Sequence, residues 1–510
     1  MGNSSDNDNT AGFSILNPDS GEFEPLESTP FFRDLNLDQV IDRLTYKWGK
    51  NVKKYFRYIP QSPGEVSYRR DIYRDIKKDE VYAALLKFTE DLEKTESIRR
   101  EKEKVRIPLQ RNVWQIREVG SYCDVYEELA KSLESAGLTS GGMKGFLSVL
   151  KEILESGGYR RMREQIKKVI DEIRKLRFVI TYDKDRMSVE LKELEGEGSY
   201  GRMLREQRGG DVRNLQNPFI ADSTLTEMEK SCLEIIQKKK PELFAMIERT
   251  AEMSEGYEKE VLHRFEREVI FYLSFRSLQL EMEEAGFRFA EPEADEDKKM
   301  EAKGLYDMAL AITNHSKEKE VVPNDLSYEE GERFFVLTGP NQGGKTTYGR
   351  SLGQLVYLTK MGLDVPADAA EVPYYSNLWT HFSVEESSDT GRGKLMDELV
   401  RLKPIMEKEQ KGAFVVINEL FTTAANYDAI EMGKRVLEYL INSDCKGIYV
   451  THLGELSRSC KGVVSLRATV DDENVQTFVI ERSEAKETAG TNRQVLKYRL
   501  TYEQLKERFS

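Results

Sequence analysis

The feature that most constrains this chain is an apolar run followed by a glycine-rich loop, residues 334–347. The run FFVLT is typical of a buried strand, and the loop GPNQGGKTT ends in a lysine and two threonines. Four loop positions, Gly339, Gly344, Lys345 and Thr346, fit the pattern G-x-x-x-x-G-K-[ST]. A strand, such a loop and a helix in this order predict an α/β domain that binds phosphate groups.

Each residue type in the loop has a chemical task. Glycines let the backbone turn so that its N–H groups face a phosphate, while Lys345 reaches the β- and γ-phosphates and Thr346 offers a hydroxyl to Mg²⁺. The helix expected to begin near Lys345 adds the positive end of its dipole. The predicted nucleotide contacts are Gly339, Pro340, Asn341, Gln342, Gly343, Gly344, Lys345, Thr346 and Thr347. The loop alone does not separate kinases, GTPases and transport ATPases, because these classes share it.

Composition narrows the class of protein. The chain has 510 residues, of which 33% are charged, and its net charge is −13. An acidic chain has no bulk attraction for nucleic acid, so contact with a phosphate backbone requires a local basic patch. The four cysteines show no C-x-x-C spacing, which indicates a reducing compartment and argues against a zinc site. Since neither a long apolar run nor a basic-then-apolar leader is present, we predict a cytoplasmic protein without a membrane span.

Changes in pattern along the chain predict three regions. Residues 1–29 are polar and predict a disordered, flexible tail. Residues 30–300 carry apolar side chains at helical spacing and predict a mostly helical domain, with a small β insertion near 178–191 where apolar positions alternate. Residues 301–510 form the predicted α/β domain.

Residues 121–175 predict two or more long helices that are punctuated at 137–142, and the second of these helices is rich in basic side chains. Its basic residues are Arg160, Arg161, Arg163, Lys167, Lys168, Arg174 and Lys175. Among the basic stretches of the chain, this helix is the first candidate for contact with DNA. A surface helix whose charge is balanced by neighbouring elements explains the same pattern equally well.

A second apolar strand, residues 413–417, ends in Asn418 and Glu419. In ATPases with this loop, a strand that ends in two acids places the first near the Mg²⁺ shell and the second beside the attacking water as general base. Here the first position is an amide, which accepts a hydrogen bond from metal-bound water but brings no charge, so metal binding is weakened. The base, Glu419, is present. An ordinary strand end is the alternative interpretation.

A third strand, residues 446–450, leads into Thr451 and His452. A histidine at the carboxyl end of a strand can reach the γ-phosphate or the attacking water, because open α/β sheets bind ligands at that edge. A structural histidine with satisfied hydrogen bonds is the alternative.

Taken together, these segments resemble the ATPase domain of the MutS family. The matching segments are TGPNQGGKTTY at 338–348, GLDVPA at 362–367, the pair Asn418-Glu419, YDA at 427–429, THLGEL at 451–456 and VPND at 322–325. The form Gly-Pro-Asn-x-Gly-Gly-Lys is far more specific to that family than the general loop pattern. The resemblance is strong from about residue 304 to 481, and upstream YRRDI at 68–72 is similar to the family's core and lever helices.

The resemblance implies an ABC-type P-loop ATPase domain with ATP and Mg²⁺ as cofactors, preceded by core and lever helices. It implies metal binding at Thr346 and Asn418, adenine near Asn324, general-base catalysis by Glu419 and γ-phosphate sensing by His452. It also implies a homodimer formed through the ATPase domains, which holds double-stranded DNA, with branched and mismatched forms as candidates. The family's signature segment corresponds to residues 391–395, where the expected serine is missing.

Two functions from different classes fit these residues. The first is a DNA-associated MutS-like ATPase of mismatch repair or recombination, which closes on DNA as a dimer and opens on hydrolysis. The second is a nucleotide-gated protein–protein switch with slow or no hydrolysis, because Asn418 weakens Mg²⁺ binding. The chain is too short to include the family's mismatch-reading and connector domains, so we expect no direct mismatch recognition.

Overall fold

The computed structural model describes residues 13–18, 26, 29–176, 178–183, 186–191, 227–293, 299–317, 319–383, 393–407, 411–473 and 475–483. Most of the predicted tail and the start of the predicted signature segment lie outside these residues. The chain divides into two compact units: unit 1 comprises Met1–Phe13, Lys78–Thr139 and Met143–Glu266, and unit 2 comprises Ser14–Lys77, Ser140–Gly142 and Arg267–Ser510. The two units are defined by contacts within the fold and do not test the domain limits predicted near residues 29 and 301, which stay predictions.

The elements described before residue 300 are mostly helices. In chain order they are α1 (Phe31–Asp34), α2 (Leu37–Thr45), α3 (Lys53–Phe56), α4 (Pro63–Ile76), α5 (Asp79–Lys104), α6 (Pro108–Ser135), α7 (Gly141–Glu155), α8 (Gly157–Lys175), β1 (Phe178–Asp183), β2 (Arg186–Leu191), α9 (Glu227–Lys239), α10 (Pro241–Met253) and α11 (Glu260–Glu284). A 3₁₀ turn, Lys50–Val52, precedes α3.

The elements described after residue 300 alternate between strands and helices. They are β3 (Glu301–Leu305), α12 (Met308–His315), β4 (Asn324–Ser327), β5 (Phe334–Thr338), α13 (Lys345–Met361), β6 (Ala369–Glu371), β7 (Leu378–Phe382), α14 (Lys394–Glu407), β8 (Phe414–Asn418), α15 (Asn426–Asn442), β9 (Lys446–Val450), a 3₁₀ turn (Gly454–Arg458), β10 (Val463–Val470) and β11 (Gln476–Arg482). A mixed α/β part therefore follows a mostly helical part, as the sequence predicts.

Unit 1 has an apolar core formed by helices α6, α8, α9 and α10. The buried residues recur three or four positions apart along each helix, which places them on one face. They include Ile116, Val119, Cys123, Met162, Ile166, Val169, Cys232, Ile236, Leu243, Phe244 and Ile247. Strands β1 and β2 pair as an antiparallel hairpin, with Phe178 opposite Leu191.

Unit 2 contains a six-stranded sheet with the strand order β11-β10-β5-β9-β8-β7. The pairs from β10 to β7 are parallel, and β11 is antiparallel to β10. Strands β5 and β8 are buried at every position, because apolar side chains on both faces suit a strand inside a parallel sheet. The carboxyl ends of β5, β8 and β9 therefore meet at one edge of the sheet.

Helix α13 follows β5 through the glycine-rich loop. It lies between Gly344 and Gly362, which flank its two ends in left-handed backbone with φ of 83° and 73°. The helix packs against β8 and β9. Its first turn is thereby fixed at the edge of the sheet where those strands end.

The predicted tail is not uniform, because residues 14–17 are buried within unit 2. The Ser14 hydroxyl donates to the Glu268 carboxylate at 2.9 Å, and the N–H of Ile15 donates to the same carboxylate at 2.8 Å. One apolar pair, Ile15 and Leu16, is too short to stand out in a polar stretch. In the described part of the chain, no helix has both the length and the apolarity that a membrane span requires.

Candidate functional site

The glycine-rich loop between β5 and α13 turns through left-handed backbone. The φ angles are 135° at Gly339, 64° at Gln342 and 83° at Gly344. A Cβ atom on Gly339 would lie 2.9 Å from the Cβ of Ala468 and 3.0 Å from its carbonyl oxygen, so this position requires glycine. The N–H of Gly343 donates to the carbonyl of Pro340 at 3.2 Å and closes the turn. The loop thus presents the N-terminal turn of α13, whose backbone N–H groups are suited to an anion.

Lys345, the first residue of α13, is a buried cation. Its Nζ donates to the carbonyl oxygens of Gly339 at 2.9 Å and Pro340 at 2.8 Å, and the residue is 6% exposed. Burial lowers the pKa of Lys345, and the nearby Glu419 carboxylate opposes this shift as the smaller effect. A buried ammonium group bonded to neutral carbonyls gains energy from an anionic ligand, because charge-assisted hydrogen bonds are stronger.

Thr346 and Asn418 are hydrogen-bonded across the edge of the sheet. The Thr346 hydroxyl donates to Oδ1 of Asn418 at 3.0 Å. Asn418 ends β8 and is paired with Val450 at the end of β9, and Val450 is paired with Leu337 near the end of β5. This alignment of strand ends explains why two residues far apart in the sequence meet. The pair supplies hydroxyl and amide oxygens, the kind of ligand that Mg²⁺ prefers.

Glu419 follows Asn418 in left-handed backbone with φ of 54°. Its N–H donates to the carbonyl of Val450 at 2.9 Å, which extends the pairing of β8 with β9 by one residue. The carboxylate is close enough to Lys345 to act on the pKa of that amine. Glu419 lines the same cleft as Lys345 and Thr346. The residue predicted as general base therefore lies beside the predicted phosphate site.

A cleft of about 620 Å³ opens in front of the loop. This volume lies within the range of ligand pockets in proteins. One wall is the loop and the start of α13, and the facing wall comes from β3, α12 and the chain between α12 and β4. The residues of this facing wall are Leu305, Tyr306, Asp307, Leu310, Asn314, Glu320, Val321, Val322 and Asn324.

Asn324 and Phe478 meet at the border of the cleft. The Asn324 Nδ2 donates to the carbonyl of Phe478 at 3.0 Å, and its Oδ1 accepts the N–H of Ile480 at 2.7 Å. Phe478 has left-handed backbone with φ of 60°, is 47% exposed and lines the cleft. An exposed aromatic ring at the border of a cleft is suited to stacking on a nucleobase.

Sequence reasoning did not identify Phe478 or Asp307 as cleft residues. Phe478 lines the cleft with a left-handed backbone and with its carbonyl bonded to Asn324, and no sequence signal marks that conformation. Asp307 precedes a helix, and its Oδ1 accepts the N–H groups of Ala309 at 2.9 Å and Leu310 at 3.1 Å. Burial raises the pKa of Asp307. This carboxyl group caps α12, a role that the position of an Asp before a helix can indicate.

His452 is exposed directly after β9. Within the described residues, it is not among those that line the cleft. Strand β9 lies between β5 and β8, so His452 is nevertheless at the edge of the sheet that carries the loop. Its role as a γ-phosphate sensor stays a prediction.

Most of the predicted site residues meet at this cleft. Those that line it are Asn324, Asn341, Gln342, Gly344, Lys345, Thr346, Thr347 and Glu419. Gly339, Pro340 and Gly343 shape the turn, and Asn418 bonds to Thr346. Among the described residues, no group of three or more His, Cys, Asp or Glu side chains is arranged to hold a metal ion. The oxygens of Thr346 and Asn418 fit a Mg²⁺ ion that is shared with ligand phosphates, the usual manner in which proteins hold this ion.

Comparison with known proteins points to the same region. Residues 335–495 match the family model MutS domain V. Proteins named DNA mismatch repair protein MutS are 31% identical over 163 residues in Fervidobacterium nodosum, 30% over 159 residues in Thermosipho melanesiensis and 29% over 161 residues in Syntrophomonas wolfei. These alignments cover 32%, 30% and 31% of this chain but only 20%, 19% and 19% of the relatives, so each relative is matched over a fifth of its length or less. Residues 335–495 of this chain are therefore similar to domain V of the MutS family.

Proposed function

We propose that this chain binds ATP with Mg²⁺ and hydrolyses it as an ABC-type P-loop ATPase that acts on DNA in mismatch repair or recombination. The observation that carries the proposal is the meeting of Lys345, Thr346, Asn418 and Glu419 at one edge of the sheet. These residues provide a cation for phosphates, two oxygens for a metal ion and a carboxylate for a water molecule.

In this proposal the triphosphate lies on the loop at 339–347. Lys345 exchanges the carbonyl oxygens of Gly339 and Pro340 for oxygens of the β- and γ-phosphates, because charge-assisted bonds are the stronger ones. The N-terminal turn of α13 adds its N–H groups and the positive end of its dipole. The adenine lies at the border of the cleft, where Phe478 offers an exposed ring.

Hydrolysis in this proposal depends on Glu419. Its carboxylate orients the attacking water and accepts a proton from it. Thr346 and Asn418 would hold Mg²⁺ through their side-chain oxygens, Thr346 as a ligand and Asn418 through a water of the ion. When bound, Mg²⁺ neutralises part of the phosphate charge. His452, which follows the neighbouring strand β9, senses the γ-phosphate by contacting it.

Nucleotide-driven dimerisation through the ATPase domains is the next part of the proposal. Helix α14 presents three exposed apolar residues on one face, Met396, Leu399 and Val400, which are 52%, 39% and 42% exposed. Exposed apolar stripes of this kind mark interaction surfaces. The stripe directly follows the segment that resembles the family's signature, which faces the opposite subunit, so a second copy of this chain is its occupant.

DNA contact is assigned to the basic face of α8 in unit 1. Six of its seven basic residues are exposed, whereas Arg163 is buried and donates from Nε to Glu127 at 2.9 Å. Lys238 and Lys239 at the end of α9 and Lys240 directly after it are exposed too, and α10, which begins after Lys240, packs against α8. Cations from two segments thus form one patch, which suits a phosphate backbone.

A second candidate is the nucleotide-gated protein–protein switch with slow hydrolysis. Asn418 favours it, because a neutral amide replaces the charge that would help to retain Mg²⁺. The two candidates share ATP binding and differ in turnover and in DNA binding.

The rate of ATP hydrolysis, measured with and without linear, mismatched and branched DNA, tests the proposal. Glu419→Gln should retain ATP affinity, accumulate the dimer and lower turnover by a factor of about 10² to 10⁴, the usual contribution of a general base. Glu438→Gln, an exposed position on α15, is the matched control. Full turnover in Glu419→Gln would place the base elsewhere, and ATP binding without turnover in the unmodified chain would favour the switch.

The salt dependence of DNA affinity tests the basic patch. Each phosphate contact contributes about 0.9 to the slope of log affinity against log salt concentration. Replacing Lys167 and Lys168 by Ala should lower that slope by about two such contacts. Lys131→Ala, an exposed cation on α6, should leave the slope unchanged. An unchanged slope in the double variant would remove α8 from the interface.

A further inference from the structure

A buried carboxylate on α14 contacts the turn that carries Glu419. Glu398 is 4% exposed, and its Oε2 accepts the backbone N–H of Phe421 at 3.1 Å. Burial of a carboxylate is costly unless hydrogen bonds compensate it. The hydrogen bond from the N–H of Phe421 thus offsets part of the cost of burying the Glu398 carboxylate.

The turn after β8 needs such a contact. Glu419 and Phe421 both have left-handed backbone, with φ of 54° and 62°, a conformation that side chains with a Cβ atom disfavour. Strained backbone persists only where its surroundings hold it. The N–H of Glu419 is held by Val450, and the N–H of Phe421 by Glu398. These two contacts hold the backbone of the turn that carries Glu419.

Helix α14 is itself fixed to the end of β7. His381 Nε2 lies 3.2 Å from the carbonyl oxygen of Glu398, and Arg401 Nη1 donates to the carbonyl of Phe382 at 2.6 Å. Burial and the charge of Arg401 lower the pKa of His381 to about 4, so the ring is neutral and Nε2–H is the donor in this contact. The helix is thus a firm support for the Glu398 side chain.

The same helix has opposite faces with different tasks. Glu398 and the buried Leu402 and Ile405 face the core, whereas the apolar stripe proposed for a second copy is exposed. A partner that binds the stripe would therefore contact the same helix that carries Glu398.

We propose that Glu398 is a positioning residue for Glu419. By holding the N–H of Phe421, it aims the Glu419 carboxylate at the attacking water and ties that carboxylate to the position of α14. This inference rests on the proposed ATPase function and adds a residue that never touches the nucleotide.

Three substitutions of Glu398 distinguish the effect of the length of the side chain from the effect of its charge. Glu398→Gln keeps an oxygen within reach of the N–H, Glu398→Asp keeps the charge but withdraws it by one methylene group, and Glu398→Ala removes both. If Glu398 is a positioning residue, turnover should be higher in Glu398→Gln than in Glu398→Asp and lowest in Glu398→Ala. The turnover of Glu398→Ala should be about tenfold or more below that of the unmodified chain, as expected when a catalytic group is misplaced. If the negative charge of Glu398 were the important property, the turnover of Glu398→Asp would exceed that of Glu398→Gln.

The measurement is kcat and KM for ATP, together with ATP affinity and thermal unfolding of each variant. ATP affinity should stay within about twofold, because only the transition-state interaction is lost. Glu407→Ala, an exposed position on α14 with its side chain 63% exposed, should match the unmodified chain. Where Ala does not fold, the order of Gln and Asp decides.

The unmodified chain and Glu419→Gln are assayed alongside. An active unmodified chain, an inactive Glu419→Gln and Glu398 variants with unchanged kcat would overturn this inference alone. So would a loss of ATP affinity that equals the loss in kcat. An inactive unmodified chain, or an active Glu419→Gln, would overturn the proposed function and this inference together.

Discussion

Replacement of Asn418 by Asp tests the metal site most directly. The two side chains have nearly the same shape, so the Thr346 hydroxyl can still donate to Oδ1, as it does at 3.0 Å in the native chain. The substitution changes charge at a position that is 8% exposed. We therefore expect an effect on Mg²⁺ binding with little change in geometry.

The magnitude follows from the strength of the hydrogen bonds involved. A hydrogen bond to a charged group contributes about 1.5–3 kcal/mol, compared with about 0.5–1.5 kcal/mol for a neutral pair. The gain of about 1–1.5 kcal/mol for one bond from metal-bound water corresponds to about tenfold tighter Mg²⁺ binding. Without Mg²⁺ the substitution should destabilise the protein, because it places a buried carboxylate beside the carboxylate of Glu419. The free energy of unfolding should then fall by about 1–3 kcal/mol.

The assay is a Mg²⁺ titration of ATP hydrolysis at saturating ATP, with thermal unfolding measured with and without Mg²⁺ and ATP. The concentration of Mg²⁺ at half-maximal rate should fall about tenfold in Asn418→Asp. Asn51→Asp, at an exposed position of unit 2, is the control. A folded Asn418→Asp variant with an unchanged Mg²⁺ requirement would refute the assignment of this residue to the metal.

Three further predictions concern the loop, the cleft border and a buried lysine. Gly339→Ala should abolish ATP binding and lower the melting temperature, because its Cβ would collide with β10 and its φ of 135° disfavours alanine. Asn324→Leu removes two hydrogen bonds to β11 and should weaken ATP affinity about tenfold in a direct binding assay, with a smaller effect on inorganic triphosphate. Burial lowers the pKa of Lys360 to about 8 from 10.5; the unfolded chain then holds the proton more tightly, so the free energy of unfolding should rise with pH above 8. In denaturant titrations at pH 8 and about pH 9.5, Lys360→Met should lose this rise and Lys403→Met, at an exposed position, should keep it.

The parts of the site that the sequence predicts are those set by short local patterns. Glycines and a lysine at fixed spacing after an apolar run indicate the loop, and Asn418-Glu419 stands at the end of a run that is buried at every position. Parallel strands bring their carboxyl ends to one edge, so two local patterns are sufficient to predict that Lys345 and Glu419 meet.

The parts that escaped prediction depend on contacts between distant segments. Phe478 reaches the cleft because Asn324, 154 residues earlier, bonds to its carbonyl and its backbone is left-handed. Ser14 is ordered by Glu268, 254 residues away. The resemblance marks Asn324, but nothing in the local sequence pairs Asn324 with Phe478 or Ser14 with Glu268, because polar residues of this kind occur throughout surface loops. Only the fold identifies the pairs.

The backbone at Glu419 bears on the choice between the two candidate functions. A switch that only binds ATP needs the loop and Lys345, neither of which lies in the turn after β8. The chain nevertheless holds Glu419 and Phe421 in that conformation, which costs about 1–2 kcal/mol per residue, and stabilises it with two hydrogen bonds, one of them to a buried carboxylate. Strain of this kind clusters at active sites, ligand clamps and switch regions, and here it lies in the turn that carries the proposed base. Asn418 lowers the charge at the proposed metal site but leaves the turn that carries Glu419 intact, and we therefore propose hydrolysis at a reduced Mg²⁺ affinity in preference to a switch without turnover.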